Sequence, residues 1–282
     1  MELVFLSLRS GSLGNCYILG TEEYGIMIDA GLCVRDVKQI MREYGMLFPD
    51  YIRAVVITHE HIDHIKASGI FADKIGIPVY ATREVHAGIK NNHRIRLLPP
   101  DKCVVIEKEV PFMLGDFRLT AFEVPHDSAD NVGYFIEGFD HCFTFVTDIG
   151  HITPTVSEYA CRAHHLILEA NYHEGMLEDG IYPARLKKRI AGNNGHLSNQ
   201  AAAEFLALNY RPHLKDIWLC HLSGDNNHPE LARKTVGERM LANGIRVNRD
   251  VSLHVLNRAT PTGAWRWKAE RSDAAPGPDS DD

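Results

Sequence analysis

No stretch of this 282-residue chain stays apolar for the roughly 20 residues that a membrane-spanning helix needs, so no membrane partner is expected. The opening MELVFLSLRSGS lacks the basic start and long apolar core of a secretory signal. None of the six cysteines (Cys16, Cys33, Cys103, Cys142, Cys161, Cys220) is spaced as CxxC. Scattered thiols argue against a disulfide framework and for a reducing, cytoplasmic setting. Basic charge is also scarce. The net charge is −7, and the two basic and five acidic residues from Lys268 to Asp282 account for −3 of it. A nucleic-acid partner is therefore not announced by the chain as a whole. It would need a local basic patch or a metal to meet phosphate. No internal repeat of fixed length is present.

The chain does have apolar residues enough for a core, 45% of the total, and 16 histidines. A metal site would account for several of them, and a solvated surface supply is the plainer alternative. β-type runs dominate: LVFLSL (3–8), CYILG (16–20), GIMIDAG (25–31), RAVVITH, IPVYAT (77–82), KCVVIE, FRLTAFEVP, NVGYFIEG, CFTFVTD, HHLILEAN, DIWLCHLS and VSLHVLN. Helical spacing predicts helices over 36–45, 64–76, 183–191, 198–208 and 229–241. Many strands interrupted by helices predict an α/β (α+β) sandwich of sheets with helices on its outer faces. One domain is expected over residues 1–263. The Pro/Gly/acidic stretch 264–282 reads as a disordered tail.

The densest chemistry lies in RAVVITHEHIDH (53–64), where a buried strand ends in His59-Glu60-His61-Ile62-Asp63-His64. Imidazole nitrogen and carboxylate oxygen are the usual ligands of Zn²⁺ and related divalent ions. A strand fixes the backbone there, and the chain then turns into a helix. His59 and His61 can point to one ion, Asp63 and His64 to another. Further donors stand at the ends of other predicted strands: His126 in FEVPHDSADN, Asp148 in FTFVTDIG and His221 in IWLCHLS. The expected set is His59, His61 and His126 on one side, Asp63, His64 and His221 on the other, and Asp148 bridging. That suits two ions about 3.5–4 Å apart with a shared water or hydroxide. Taken singly, His126 or His221 is an ordinary satisfied histidine, and Asp148 a turn residue.

Glu169, ending the strand of LILEANYHEG, is followed by His196 in NNGHLSNQAA, where Ser198 can cap a helix. A carboxylate bonded to an imidazole holds it oriented and protonated. Such a group near the metals can neutralise charge on a phosphoryl group or protonate a leaving alkoxide. The plain alternative is an ion pair at the core edge. Arg185, Lys187, Lys188 and Arg189 form a local basic cluster that either follows a nucleic-acid backbone or is a solvated helix face. The turn Ser10–Asn15 either offers backbone N–H groups to a phosphate or closes a hairpin. Asn226 and Asn227 either line the pocket or shape a turn, and His228-Pro229 is expected to begin a helix. Asn171, His173, His151 and His254 receive no role.

HEHIDH with the later His, Asp and His resembles the metallo-β-lactamase superfamily. The resemblance spans nearly all of residues 1–260 and implies a four-layer αββα sandwich and the ligands just given. The flavodiiron members resemble H-x-E-x-D, whereas this chain has His61, which favours hydrolysis over dioxygen chemistry. Glu-Ala-Asn followed by His-Leu-Ser resembles the phosphodiesterase branch, including the tRNA 3′-processing endonucleases. That resemblance implies a phosphate-serving role for Glu169 and His196. The chain departs from it in having Asn171 in place of Thr and no Gly/Pro-rich protruding arm. SLRSGSLGNCYIL, THEHIDHIKA, LEANYHEGML, YPARLKKRI, GHLSNQAAA and CHLSGDNNHPE together resemble the YycJ (WalJ) group of bacterial metallo-hydrolases. This implies a cytoplasmic 5′-to-3′ DNA exonuclease linked to DNA repair.

Three functions follow as expectations. The first is a di-metal phosphodiesterase acting on nucleic acid, DNA in particular. A metal-bound hydroxide attacks phosphorus, Asp63 orients or deprotonates the water, and His196, held by Glu169, assists the leaving group. The alternative is a hydrolase of a small acyl substrate (thioester, lactone or lactam), or an RNase of the tRNA 3′-processing type. The third, a non-catalytic protein with a structural metal, fits poorly with seven candidate ligands, because structural sites close with four. Zn²⁺ is the default metal, with Mn²⁺ or Fe also compatible with these donors.

Overall fold

Strands buried on both faces read as nearly continuous apolar runs, and this chain layers accordingly. The computed structural model describes residues 1–269. Its strands are β1 (Glu2–Arg9), β2 (Cys16–Thr21), β3 (Gly25–Ile28), β4 (Ile52–Val56), β5 (Val79–Ala81), β6 (Cys103–Val105), β7 (Phe112–Leu114), β8 (Phe117–Glu123), β9 (Val132–Gly138), β10 (His141–Val146), β11 (His165–Glu169), β12 (Asp216–Cys220), β13 (Ser252–Val255) and β14 (Thr262–Lys268). Two seven-stranded sheets result, ordered β14-β1-β2-β3-β4-β5-β6 and β13-β12-β11-β10-β9-β8-β7. The pairs from β3 to β6 and from β10 to β13 are parallel, the rest antiparallel.

Alternation along each strand feeds two cores at once. In β1, Leu3 and Phe5 face the second sheet and meet Phe143, Phe145 and Trp218, while Val4, Leu6 and Leu8 face outward. There they join Val37 and Met41 of the helix Val34–Glu43 and Val85 and Ile89 of Arg83–Asn91. The outer face of the second sheet packs Leu166, Leu168 and Leu219 against the helices Pro154–Arg162, Asn199–Asn209 and Pro229–Ala242. The order of layers is therefore helix, sheet, sheet, helix, as expected. All six thiols are free. Among the described residues no helix is long and apolar enough to cross a membrane.

Two expectations are corrected. The helix expected over 64–76 is instead three short pieces, Ile62–Ile65, Ser68–Ile70 and a π-wound Phe71–Ile75. The Ser68 hydroxyl donates to the Ile65 carbonyl at 2.8 Å. At Gly69 the backbone of Arg96 comes so close that a Cβ would lie 1.8 Å from its carbonyl oxygen. The domain also does not end at residue 263. Residues 264–268 belong to β14, which pairs with β1 and packs Trp265 and Trp267 on Phe5, Phe143 and Trp218. The disordered reading of 270–282 lies outside the described residues.

Five histidines collect at the end of the second sheet away from the HEHIDH turn: His141, His164, His165, His213 and His254. His141 Nδ1 lies 2.7 Å from His165 Nε2, and His165 Nδ1 donates to Asp216 at 2.9 Å. Burial, then the neighbouring His165, pushes His141 down to about 4. An imidazole kept neutral by the fold takes up a proton on unfolding below about pH 6.5. Its contribution is complete above that pH and lost as pH falls toward 4. Stability to urea is expected to decline across this window, and His141→Gln to flatten the decline. An equal pH slope in the variant would contradict the assignment.

Candidate metal centre

Six chain segments bring their ends to one place. β4 leads into Thr58 to His64, β8 into His126, β10 into Asp148, β11 ends on Glu169, β12 leads into His221, and the loop before the helix Asn199–Asn209 brings His196. Both sheets contribute, so the cluster sits across their shared edge, outside the carboxyl ends of parallel strands. His221 holds a positive φ of 51°. Its N–H is taken by Ser10 Oγ at 2.9 Å, and its carbonyl accepts from Asn171 Nδ2 at 2.7 Å.

The structure brings together all seven expected metal ligands and the Glu169–His196 pair. His59, His61 and His126 offer donor atoms within 4.8 Å of one another, and so do Asp63, His64 and His221. Asp148 stands between the groups. Its Oδ2 is 3.6 Å from His126 Nε2 and 4.0 Å from His59 Nε2. Its Oδ1 is 3.4 Å from His64 Nε2 and 2.8 Å from His221 Nδ1. Two of the first group's histidines have the other ring nitrogen occupied: His59 Nδ1 by the Thr58 hydroxyl at 3.0 Å, and His126 Nδ1, which donates to the Gly195 carbonyl at 2.9 Å. Their Nε2 atoms are buried with no hydrogen-bond partner. Each such orphan costs about 1–3 kcal/mol, and a divalent cation between them removes that cost. The donor set therefore fits a metal.

The electrostatics agree. Burial holds the His59 and His126 imidazoles below their ordinary range, so they are neutral donors. Burial acts the same way on His64 and His221, but the carboxylates outweigh it. Asp29 and Asp148 raise His64 well above the usual value, and Asp148 raises His221 to about 10. Asp148, though buried, is held well below the carboxylate range by His221 and His64. Cation binding at this second group must therefore release protons.

Glu169 is fully buried and accepts four hydrogen bonds. Its Oε1 faces His196 Nδ1 at 2.8 Å and His221 Nδ1 at 2.9 Å. Its Oε2 takes the N–H groups of Ile149 at 2.9 Å and Leu197 at 3.0 Å. One carboxylate thus fixes the loops carrying Asp148 and His196. Glu169 also raises His196 against the pull of burial, and the ring lines a cavity of about 390 Å³.

A model of the β-lactamase superfamily domain matches residues 25–213. The chain belongs to the β-lactamase superfamily. It is 32% identical over 262 residues to a Bacillus anthracis protein named exodeoxyribonuclease YycJ, covering 93% of this chain and 98% of that one. It is 31% identical over 255 residues to exodeoxyribonuclease WalJ of Streptococcus pneumoniae, covering 90% and 94%. The solved metallo-β-lactamase-fold protein YhfI of Bacillus subtilis is similar at a TM-score of 0.67 and 15% identity, over 94% of this chain and 98% of that one. The sandwich described above is the metallo-β-lactamase fold.

Within this superfamily member, several positions that received no role, or two alternative ones, now have a structural part. Asp29 was missed. It follows β3 at φ 60° and is fully buried. It takes His64 Nδ1 at 2.7 Å and the Thr58 N–H at 2.8 Å, which orients the imidazole so that Nε2 faces the cluster. Gly31, two residues on, allows the Asp63 backbone to approach; a Cβ there would lie 1.7 Å from the Asp63 carbonyl oxygen. Asn227 forms a reciprocal amide pair with Asn199 at 2.9 Å and holds the Ala170 and Asn171 carbonyls, so it braces the Glu169 turn. The Ser10–Asn15 turn engages its own N–H groups: Gly11 donates to Asn15 Oδ1, Gly14 to the Gly11 carbonyl and Asn15 to the Asp63 carbonyl. His228 caps the helix Pro229–Ala242, as expected. Glu60 is not near the donor atoms; it accepts from the Ala129 N–H at 2.7 Å.

Second partners of ligating histidines set metal affinity. Asp29→Asn is expected to weaken divalent-metal binding about 10- to 100-fold, measured by competition with a chromophoric chelator. Unchanged affinity would deny Asp29 this part.

Proposed function

We propose that this superfamily member is a di-metal hydrolase that cuts phosphodiesters in DNA as a 5′-to-3′ exonuclease, with a cytoplasmic role in DNA repair. The observation that carries the reading is the Glu169–His196 pair at the mouth of the cluster, an imidazole whose Nδ1 lies 2.8 Å from a buried carboxylate. The names of the relatives at 31–32% identity support the DNA substrate. Arg189, on the helix Ala184–Ile190, lines the cavity and offers a local positive charge in a chain of net −7.

His59, His61 and His126 would hold one divalent ion, Asp63, His64 and His221 a second, and Asp148 both, with Zn²⁺ the default and Mn²⁺ or Fe compatible. Bound there, the ions would supply Lewis acidity and an activated water. Asp63 is the carboxylate of this set with solvent access, 18% exposed, and it orients the attacking water or takes its proton. Glu169 raises His196 above its ordinary range beside the cavity, and in its protonated form the ring neutralises phosphoryl charge and gives its Nε2 proton to the departing oxygen. Glu169 holds the Nδ1 side and keeps the ring charged. A small acyl substrate is the second reading, favoured by the aliphatic side chains of Leu186 and Ile190 in the cavity wall. It has no need of a cationic imidazole.

Digestion of 5′-labelled single- and double-stranded DNA with Mn²⁺ or Zn²⁺ tests the proposal. Stepwise loss from the 5′ end is expected, absent in Asp63→Asn. His196→Ala is expected to lose about 10²- to 10⁴-fold in turnover while keeping its metal. No cleavage of any nucleic acid under any metal would transfer the case to acyl substrates, and unchanged turnover in His196→Ala would remove that residue from the mechanism.

A further inference from the structure

The segment joining Glu169 to His196 crosses the mouth of the cluster. It carries the helices Glu174–Asp179 and Ala184–Ile190, and the second has no buried residue. Its residues still divide by face. Leu186, Arg189 and Ile190 line the cavity at the spacing of one helical stripe, and Tyr182, just before the helix, lines it too. Arg185 and Lys188 are exposed and line no part of it, and the Lys187 ammonium donates to the Glu178 carbonyl at 2.6 Å. Arg189, paired with Asp127, is thus the one Lys or Arg among the described lining residues. Ile62, 36% exposed, stands among the same lining residues. The Tyr182 hydroxyl donates to the Asp225 carboxylate at 2.6 Å, which anchors the edge of a partly exposed ring.

The ring of Tyr182, the aliphatic residues Ile62, Leu186, Ile190 and Leu222 and one guanidinium make a wall for a flat apolar group with a single phosphate beside it. They do not make a track for a phosphate chain. The cavity, about 390 Å³, is at the small end of ligand sites. It has room for one nucleoside beside the cluster. Aromatic side chains hold unpaired bases by stacking, with little regard to sequence. We infer that the site takes one unpaired nucleotide at a time. Its base lies on Tyr182 beside Leu186 and Ile190, and its phosphodiester lies between Arg189 and the metal cluster. A duplex end must then open before it is cut. This rests on the phosphodiesterase reading and names its substrate as an unpaired strand end.

The test compares three substrates of one sequence: a single strand, a blunt duplex, and a duplex whose terminal pairs are mismatched. Opening one base-pair step is worth about tenfold. The single strand and the mismatched end should therefore be cut at least about tenfold faster than the blunt end. Tyr182→Ala should lose about 10- to 100-fold in kcat/KM on the single strand, chiefly through KM. Tyr182→Phe and Tyr182→Trp, which keep a ring but lose the bond to Asp225, should lose clearly less than Tyr182→Ala. Equal rates on blunt and mismatched ends, or a Tyr182→Ala variant as active as Tyr182→Phe, would overturn the inference while leaving DNA cleavage intact. A protein that cuts none of the three substrates overturns the phosphodiesterase reading and this inference with it.

Discussion

Asp148 is the point on which the functional end of the molecule depends. Its carboxylate is almost wholly buried, with histidines of both donor groups around it. A lone buried charge is costly, and here it is answered twice. Protonated His64 and His221 answer it in the metal-free chain, and divalent cations would answer it more fully. The two oxygens face different histidine groups, so the same side chain that balances charge also divides the donors into two sets. Glu169 works one layer out. By taking the N–H of Ile149 it positions the Asp148 loop, and by taking the N–H of Leu197 it positions His196.

The fold supplies the rigidity that such crowding requires. Three apolar layers hold the strands from both sides, and the donors stand just beyond strand ends, where side chains of different strands converge. The histidines divide between two poles. Of the 16, six lie at the candidate metal cluster and five at the far end of the second sheet, where His141, His165 and His254 pack among Phe143, Trp218 and Trp267. Histidine richness alone therefore does not locate a site. At the far pole the rings serve burial and a hydrogen-bonded chain to Asp216, and no metal-holding group is found there among the described residues.

Much of the centre was legible because its signals are local. HEHIDH is contiguous, and His126, Asp148 and His221 each follow an apolar run that can only be a buried strand. Asp29 obeys the same rule after GIMI, yet it is silent in sequence. It is not placed as a ligand, and its partner His64 lies 35 residues away. The Asn199–Asn227 pair is invisible for the same reason. The expected helix over 64–76 failed because its periodicity says nothing of the Arg96 backbone pressed against Gly69. The Pro/Gly/acidic composition after residue 263 masks β14, though Trp265 and Trp267 alternate with Arg266 as a strand should. The helices Arg83–Asn91 and Pro154–Arg162 went unread despite threonine caps, Thr82 and Thr153, that accept from Val85 and Val156. The direction in which each residue of the helix Ala184–Ile190 points is a tertiary fact. A basic cluster in sequence becomes a single cavity-facing arginine in the fold.

The central claim is that two cations share Asp148. Metal content per chain, measured by plasma mass spectrometry after loading and gel filtration, tests it directly in the parent protein and in Asp148→Asn. The account predicts about two ions in the parent and one or none in the variant. A parent that holds a single ion, or a variant that keeps two, would contradict it.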